Sequence, residues 1–192
     1  MAPVIPDETA FRFLGGRLSV DFTATLGMRW RDPAVERIPG PSQLARWFAE
    51  AGLTDVTVPV TPADLRDAYQ LREALYRVMR GQVAGQRPAG SDIAEINRWA
   101  ATAPPAVQLL PTREGLASQL SQPTVSGLLA LLARDAVDLI GGPYAARLRE
   151  CSSDTCTLLY LDTSRAGSRR WCSMEVCGSR DKMARYRRRT TT

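Results

Sequence analysis

The chain has 192 residues, 44% of them hydrophobic, a net charge of +5 and no histidine. This length and apolar content suit one domain plus a small module and make wholesale disorder unexpected. The missing histidine excludes His-based acid–base catalysis, Ser–His and Cys–His nucleophiles and His metal ligation from this chain.

The opening segment, MAPVIPDETAFRF, has neither a basic n-region nor an apolar h-region, so no secretory signal is expected. No run of about 18 apolar residues occurs, which predicts no membrane partner and a cytoplasmic location. Residues 11–27 contain Gly15-Gly16 and an apolar run around Asp21, a turn leading into a short strand or helix. A charged, proline-bearing loop follows over 29–41. Ser42 is placed to N-cap a helix through about residue 51, with Gly52 as its stop. Thr61, Pro62 and Asp64 open a longer helix to about residue 81. Ser91 starts another through Trp99. Residues 106–110 and 116–120 resemble two short strands around a turn, and a last long helix covers about 123–140, ended by Gly141-Gly142-Pro143.

In the helix from Pro62, the residues Leu65, Ala68, Leu71, Leu75, Val78 and Met79 share one face, and Arg72 falls within it. A guanidinium there cannot sit unpaired in a core. It snorkels out, pairs with a carboxylate, for which Asp21 is the expected partner, or meets an anionic ligand. Trp30, Trp47, Phe48, Tyr69, Tyr76 and Trp99 are expected in the core or at its rim.

All four cysteines lie in the last 42 residues. Cys151 and Cys156 form one C-x4-C pair, Cys172 and Cys177 a second, and fifteen residues separate them. Two local pairs bracketing such a loop suit a tetrahedral four-thiolate zinc site, one structural Zn2+ per chain. Two disulfides would need an oxidising compartment. An iron–sulfur cluster and unrelated buried thiols are the remaining alternatives. A site closed by four thiolates leaves zinc no open position, so metal-assisted hydrolysis is not expected. The stretch after Cys156, TLLYLD, reads as a strand, 163–168 as a turn with Gly167, and 169–171 as the return strand. A terminal helix then begins near Cys177.

Charge is unevenly placed. Residues 144–192 hold 11 basic and 5 acidic side chains, net +6, and residues 1–143 hold 14 and 15, net −1. Four thiolates and one Zn2+ would lower the C-terminal figure to about +4. A near-neutral domain before a basic module predicts an anionic partner for the module, a solvated tail being the alternative. Arginine supplies 24 of the 25 basic side chains, Lys182 being the single lysine, so arginine content by itself does not indicate phosphate recognition.

The segment RRWCSMEVCGSRDKMARYRRR resembles the CGNR zinc finger, with Cys177, Gly178, Ser179 and Arg180 at the signature. The preceding C-x4-C, YLDTSR and RRWCSM also match. Upstream, FLGGRLSVDFTATLG resembles the start of the ABATE domain, which commonly precedes this finger in stress-induced transcription regulators. The resemblance implies a mostly helical N-terminal domain and a DNA-binding finger in a bacterial regulator. Ser179 and Ala24 depart from it, each standing where asparagine is usual.

The resulting expectation is a mainly α fold with small β elements (α+β). Residues 1–143 would form a mostly helical ABATE-like domain, and 144–192 a small treble-clef or ribbon-like zinc module with a basic terminal helix. Arg180, Lys182, Arg185, Arg187, Arg188 and Arg189 would cover the helix away from Met183 and Tyr186 and contact DNA. Arg169 and Arg170 either join them or brace the hairpin through Asp162. Trp171 is assigned to the finger core, base stacking being the alternative. Removing the metal should unfold 151–189 and leave the larger domain folded. The N-terminal domain would sense a small-molecule effector or form a homodimer. A zinc-scaffolded protein-interaction module and a thiolate-based redox sensor remain open. An enzyme is not expected, since no Gly-rich phosphate loop accompanies the missing histidine.

Overall fold

In chain order the elements are α1 (Leu18–Thr23), β1 (Leu26–Gly27), β2 (Val35–Glu36), α2 (Pro41–Glu50), α3 (Pro62–Val83), α4 (Gly90–Ala101), β3 (Val107–Thr112), β4 (Gly115–Leu120), α5 (Val125–Gly141), β5 (Leu148–Glu150), β6 (Leu159–Leu161) and α6 (Ser179–Thr190). The structure, a computed structural model, describes residues 7–190, less the side chains of Arg185, Tyr186, Arg188, Arg189 and Thr190. Helices dominate. Among the described residues the strands form three antiparallel pairs, β1–β2, β3–β4 and β5–β6, an α+β arrangement.

α3 is the central element. The Asp64 amide donates to Thr61 Oγ1 at 3.1 Å and the Thr61 amide to Asp64 Oδ2 at 2.8 Å, a reciprocal cap contributing about 1 kcal/mol. Leu65, Ala68, Leu71, Leu75, Val78 and Met79 are all buried, the single stripe that a 3.6-residue period requires. α1, α4 and α5 pack around this helix. Trp47 closes one end of the core, its ring centroid 5.0 Å from that of Phe22 and 5.9 Å from that of Phe48. Trp30 does not join them. It is 52% exposed, with the Arg31 guanidinium over its ring. Two helix starts also differ from expectation. α2 begins at Pro41 after Gly40, and α4 at Gly90 after Ala89. Pro41 needs no amide partner in a first turn, so the helix begins one residue before Ser42.

Arg72 is buried, but its partner is not Asp21. Its Nη1 donates to Glu36 Oε1 at 2.8 Å and its Nε to Glu73 Oε1 at 2.9 Å. Glu73 also takes both guanidinium ends of Arg29, at 2.6 and 3.1 Å. This chain of alternating charge ties the β1–β2 segment to α3. Burial raises the Glu73 pKa, and Arg29 and Arg72 outweigh that and hold it low. Asp21 is directed elsewhere because its carboxylate caps a backbone amide, that of Gly15, at 2.7 Å.

That amide explains the GG-x4-D spacing. A Cβ on Gly15 would lie 2.6 Å from Val20 Cγ1, so only glycine lets the loop close onto α1. Gly16 takes a φ of +77°, a left-handed conformation that glycine adopts without strain. With the loop so held, the Gly15 carbonyl accepts the Leu161 amide of β6 at 2.8 Å. Leu148, Leu159 and Leu161 then enter the same apolar core as α1 and α3. The Arg80–Glu150 ion pair at 3.6 Å adds a surface tie. The β5–β6 hairpin is therefore not an independent unit, and the expectation that the finger unfolds alone needs revision.

Asp21 provides a test of this junction. Burial raises its carboxyl from 3.8 to about 6, although the Gly15 and Leu14 amides pull it down. A carboxyl with a raised folded-state pKa gives stability that is complete below the unfolded value and lost as pH rises through the folded one. Relative to Asp21→Asn, the wild type should lose up to about 3 kcal/mol of stability between about pH 4 and pH 7. Urea unfolding across this range measures the difference, and a pH-independent gap would reject the raised pKa.

Candidate metal centre

The first cysteine pair sits in the β5–β6 hairpin. Cys151 follows β5, its amide donating to the Leu158 carbonyl at 2.9 Å, and the Cys156 amide donates to the Ser153 carbonyl at 2.9 Å. The turn is closed at both ends, so the two thiols are presented from one short loop. The second pair brackets a helix start. Ser173 Oγ accepts the Val176 amide at 3.3 Å and caps a wide π turn, Met174–Gly178, that runs into α6. Cys172 precedes the cap and Cys177 lies within the turn. A Cβ on Gly178 would stand 3.2 Å from Met174 Sδ, a tight contact in this turn.

The four Sγ atoms all lie within 4.8 Å of one another. Cys156 and Cys172 are 3.8 Å apart, Cys172 and Cys177 3.6 Å. A tetrahedron with Zn–S bonds of about 2.3 Å has an edge of about 3.8 Å, so the thiols stand at zinc spacing. They are far beyond a disulfide bond length, and all four cysteines are free. The Cys172 amide points at Cys151 Sγ at 3.5 Å. With the amide end of α6 at the same place, donors and positive potential surround the sulfurs. When bound, zinc would supply a closed structural cross-link between hairpin and helix, held by thiolates alone.

A family model described as "Putative stress-induced transcription regulator", the ABATE domain, matches residues 16–143. The CGNR zinc finger model matches residues 147–190. The chain belongs to the ABATE family. Its C-terminal part is a CGNR zinc finger, and the family together with the four-cysteine cluster points to one structural zinc. No curated protein matches the chain. Both families are of regulator and zinc-finger type, not enzyme families. Among the described residues no helix is long and apolar enough to cross a membrane.

The finger's own core is small. Among the described residues Tyr160 is fully buried with the cysteines, and Leu14, Leu158, Trp171 and Val176 pack around it. Burial pushes the Tyr160 phenol up to about 12, so it stays protonated and donates to the Arg169 carbonyl. The expected return strand at 169–171 does not form. Asp162, fully buried, accepts the amides of Ser164 and Arg169 at 2.9 Å each, and β6 pairs with β5 instead. Arg169 donates from Nε to the Trp171 carbonyl at 2.7 Å and from Nη2 to the Cys172 carbonyl. Its guanidinium braces the second knuckle, although not through Asp162 as expected. Arg170 is exposed and lies over the Trp171 ring.

On α6, Arg180, Lys182 and Arg187 are exposed. Arg185, Arg188, Arg189 and Tyr186 lie on this helix, but their side chains are outside the described ones. Ser179 is exposed and donates to the Met174 carbonyl at 3.2 Å. Met183 is 52% exposed, so it is not part of the finger core. Two further basic residues, Arg12 and Arg37, lie beside Arg180 and Cys156. Sequence alone does not single them out. In a chain where nearly every cation is arginine, nothing in their local sequence marks them.

Metal analysis of freshly purified protein should give one zinc per chain. Substituting Cys172 and Cys177 together by serine should abolish it, because two thiolates cannot close the site. Undiminished zinc in that variant would reject the ligand set.

Proposed function

We propose that this protein is a zinc-dependent, DNA-binding transcription regulator acting in the bacterial cytoplasm, on the nucleoid. One observation carries the reading. The basic helix α6 starts in the metal knuckle itself, so zinc fixes where its arginines project. Twelve residues of helix span about 18 Å, enough to lie along a major groove about 12 Å wide. Lys182 and Arg187 are exposed on it, and Arg185, Arg188 and Arg189 extend the charge. Such broad basic coverage suits phosphate contacts, which position a protein without specifying sequence. Arg170 is available to a backbone phosphate, whereas Arg169 is engaged by the finger. The four cysteines, Cys151, Cys156, Cys172 and Cys177, are the proposed zinc ligands. Residues 1–143 and 144–192 are the proposed functional divisions, joined through the shared core.

The same reading gives the N-terminal domain one of two tasks, sensing a small molecule or pairing with a second copy. The β3–β4 hairpin supports the second. Val107 pairs with Leu120, Leu109 with Ser118 and Pro111 with Leu116, which puts one apolar face on the hairpin. Val107, Leu109 and Leu116 are 68–72% exposed, more apolar surface than an isolated hairpin needs to show. A dimer would present two α6 helices to two half-sites.

Replacing Arg185, Arg187 and Arg188 by alanine should weaken binding to all DNA sequences alike. It should also flatten the salt dependence by up to about 0.9 log units per log salt for each phosphate that is no longer neutralised. Fluorescence titrations over a salt series measure both. Unchanged affinity and slope would remove the nucleic-acid role from α6 and favour a protein-interaction finger. The same titrations give the stoichiometry: two chains per duplex are expected, and one chain per duplex would reject the dimer.

A further inference from the structure

A cleft of about 60 Å3 opens at the seam between the helical domain and the finger. Arg12, Arg37 and Arg180 line it, with Glu8, Gly27 and three of the metal-centre cysteines, Cys156, Cys172 and Cys177. Arg37 is the unusual member. It is 4% exposed, yet its guanidinium donates to a neutral acceptor, the Ala24 carbonyl at 2.8 Å from Nη1. Its Nε is buried with no hydrogen-bond partner among the described residues. Of the nearby acids, Glu36 pairs with Arg72 and Glu8 with Arg31, and Cys156 of the metal centre is the other negative group that faces it. A buried guanidinium with no carboxylate of its own among the described residues is costly. The fold nonetheless makes room for it. A Cβ on Gly27 would come within 2.0 Å of Arg37 Nη1, so glycine at 27 is what admits the charge.

We propose that this cleft binds a small oxyanion, the phosphate or carboxylate group of a low-molecular-weight ligand, held by Arg37 with Arg12 and Arg180. A planar fork of donors on a buried stem is the usual means of holding such a group. The backbone of a duplex cannot reach a side chain buried to the degree of Arg37. Arg180 stands in the first turn of α6, while Arg12 and Arg37 belong to the helical domain. An anion shared by the three would tie the finger helix to that domain. Its use as an effector rests on the regulator reading, whereas the binding itself does not.

Calorimetric titration of the full-length, zinc-loaded protein with inorganic phosphate at constant ionic strength tests the site. Acetate in parallel separates phosphate from carboxylate recognition. One-to-one saturable binding of at least one of the two is expected. It should weaken about tenfold or more in Arg37→Gln, and likewise in Arg12→Gln, which keeps the test decisive if the buried substitution fails to fold. No saturable binding by the wild type, or equal binding by the variants, overturns the proposal. So does faster zinc loss from Arg37→Gln without anion binding by the wild type, which would assign Arg37 to the cysteine thiolates. Phosphate binding by a protein that fails to bind DNA would retain this site and sink the regulator reading alone.

Discussion

Four sulfur atoms within 4.8 Å of one another are the constraint on which the C-terminal quarter depends. Two come from a hairpin whose strands bury leucines in the helical core. The other two come from the start of a basic helix. One metal ion bonded to all four therefore fixes the helix relative to the hairpin, and through the hairpin relative to the whole domain. Among the described residues the finger's apolar cluster is small. Metal–thiolate bonding must supply what burial does not.

Charge is distributed to match. Among the described residues two guanidiniums are buried, and they are treated differently. Arg72 has two carboxylates and sits in a network that fastens β1–β2 to α3. Arg37 has a carbonyl and, among the described residues, a nitrogen without a partner, and it borders the metal centre. Removing either charge would act on a different part of the molecule, the first on the domain's own core and the second on its seam with the finger. On α6, Arg180 stands beside the thiolates in the first turn, and Lys182 and Arg187 are exposed further along.

Much of this was legible in the residues. Paired cysteines announced the metal centre because ligand spacing is local and chemical. Thr61-Pro62 and Asp64 announced α3, since a capping box is also local. The stripe on α3 placed Arg72 in the core. Its partner was not legible. Glu36 reaches it only through the fold-back of β1–β2, and Glu73 is its chain neighbour, which a helical wheel assigns to a different face. Asp21 was misassigned because a carboxylate in an apolar run suggests a cation, whereas here it receives a backbone amide. The missing strand at 169–171 has the same cause: Asp162 takes the amide that a ladder would have used. The Arg12–Arg37–Arg180 cleft joins three distant segments, and no periodicity connects them.

The union of finger and helical core is tested most directly by hydrogen exchange on the full-length protein before and after zinc chelation. Loss of protection is predicted in β5, β6 and the first turn of α6, extending through the Leu161–Gly15 bond into α1, while α4 and α5 stay protected. Unchanged protection of the Leu161 amide and of β5–β6 after complete metal removal would contradict the account.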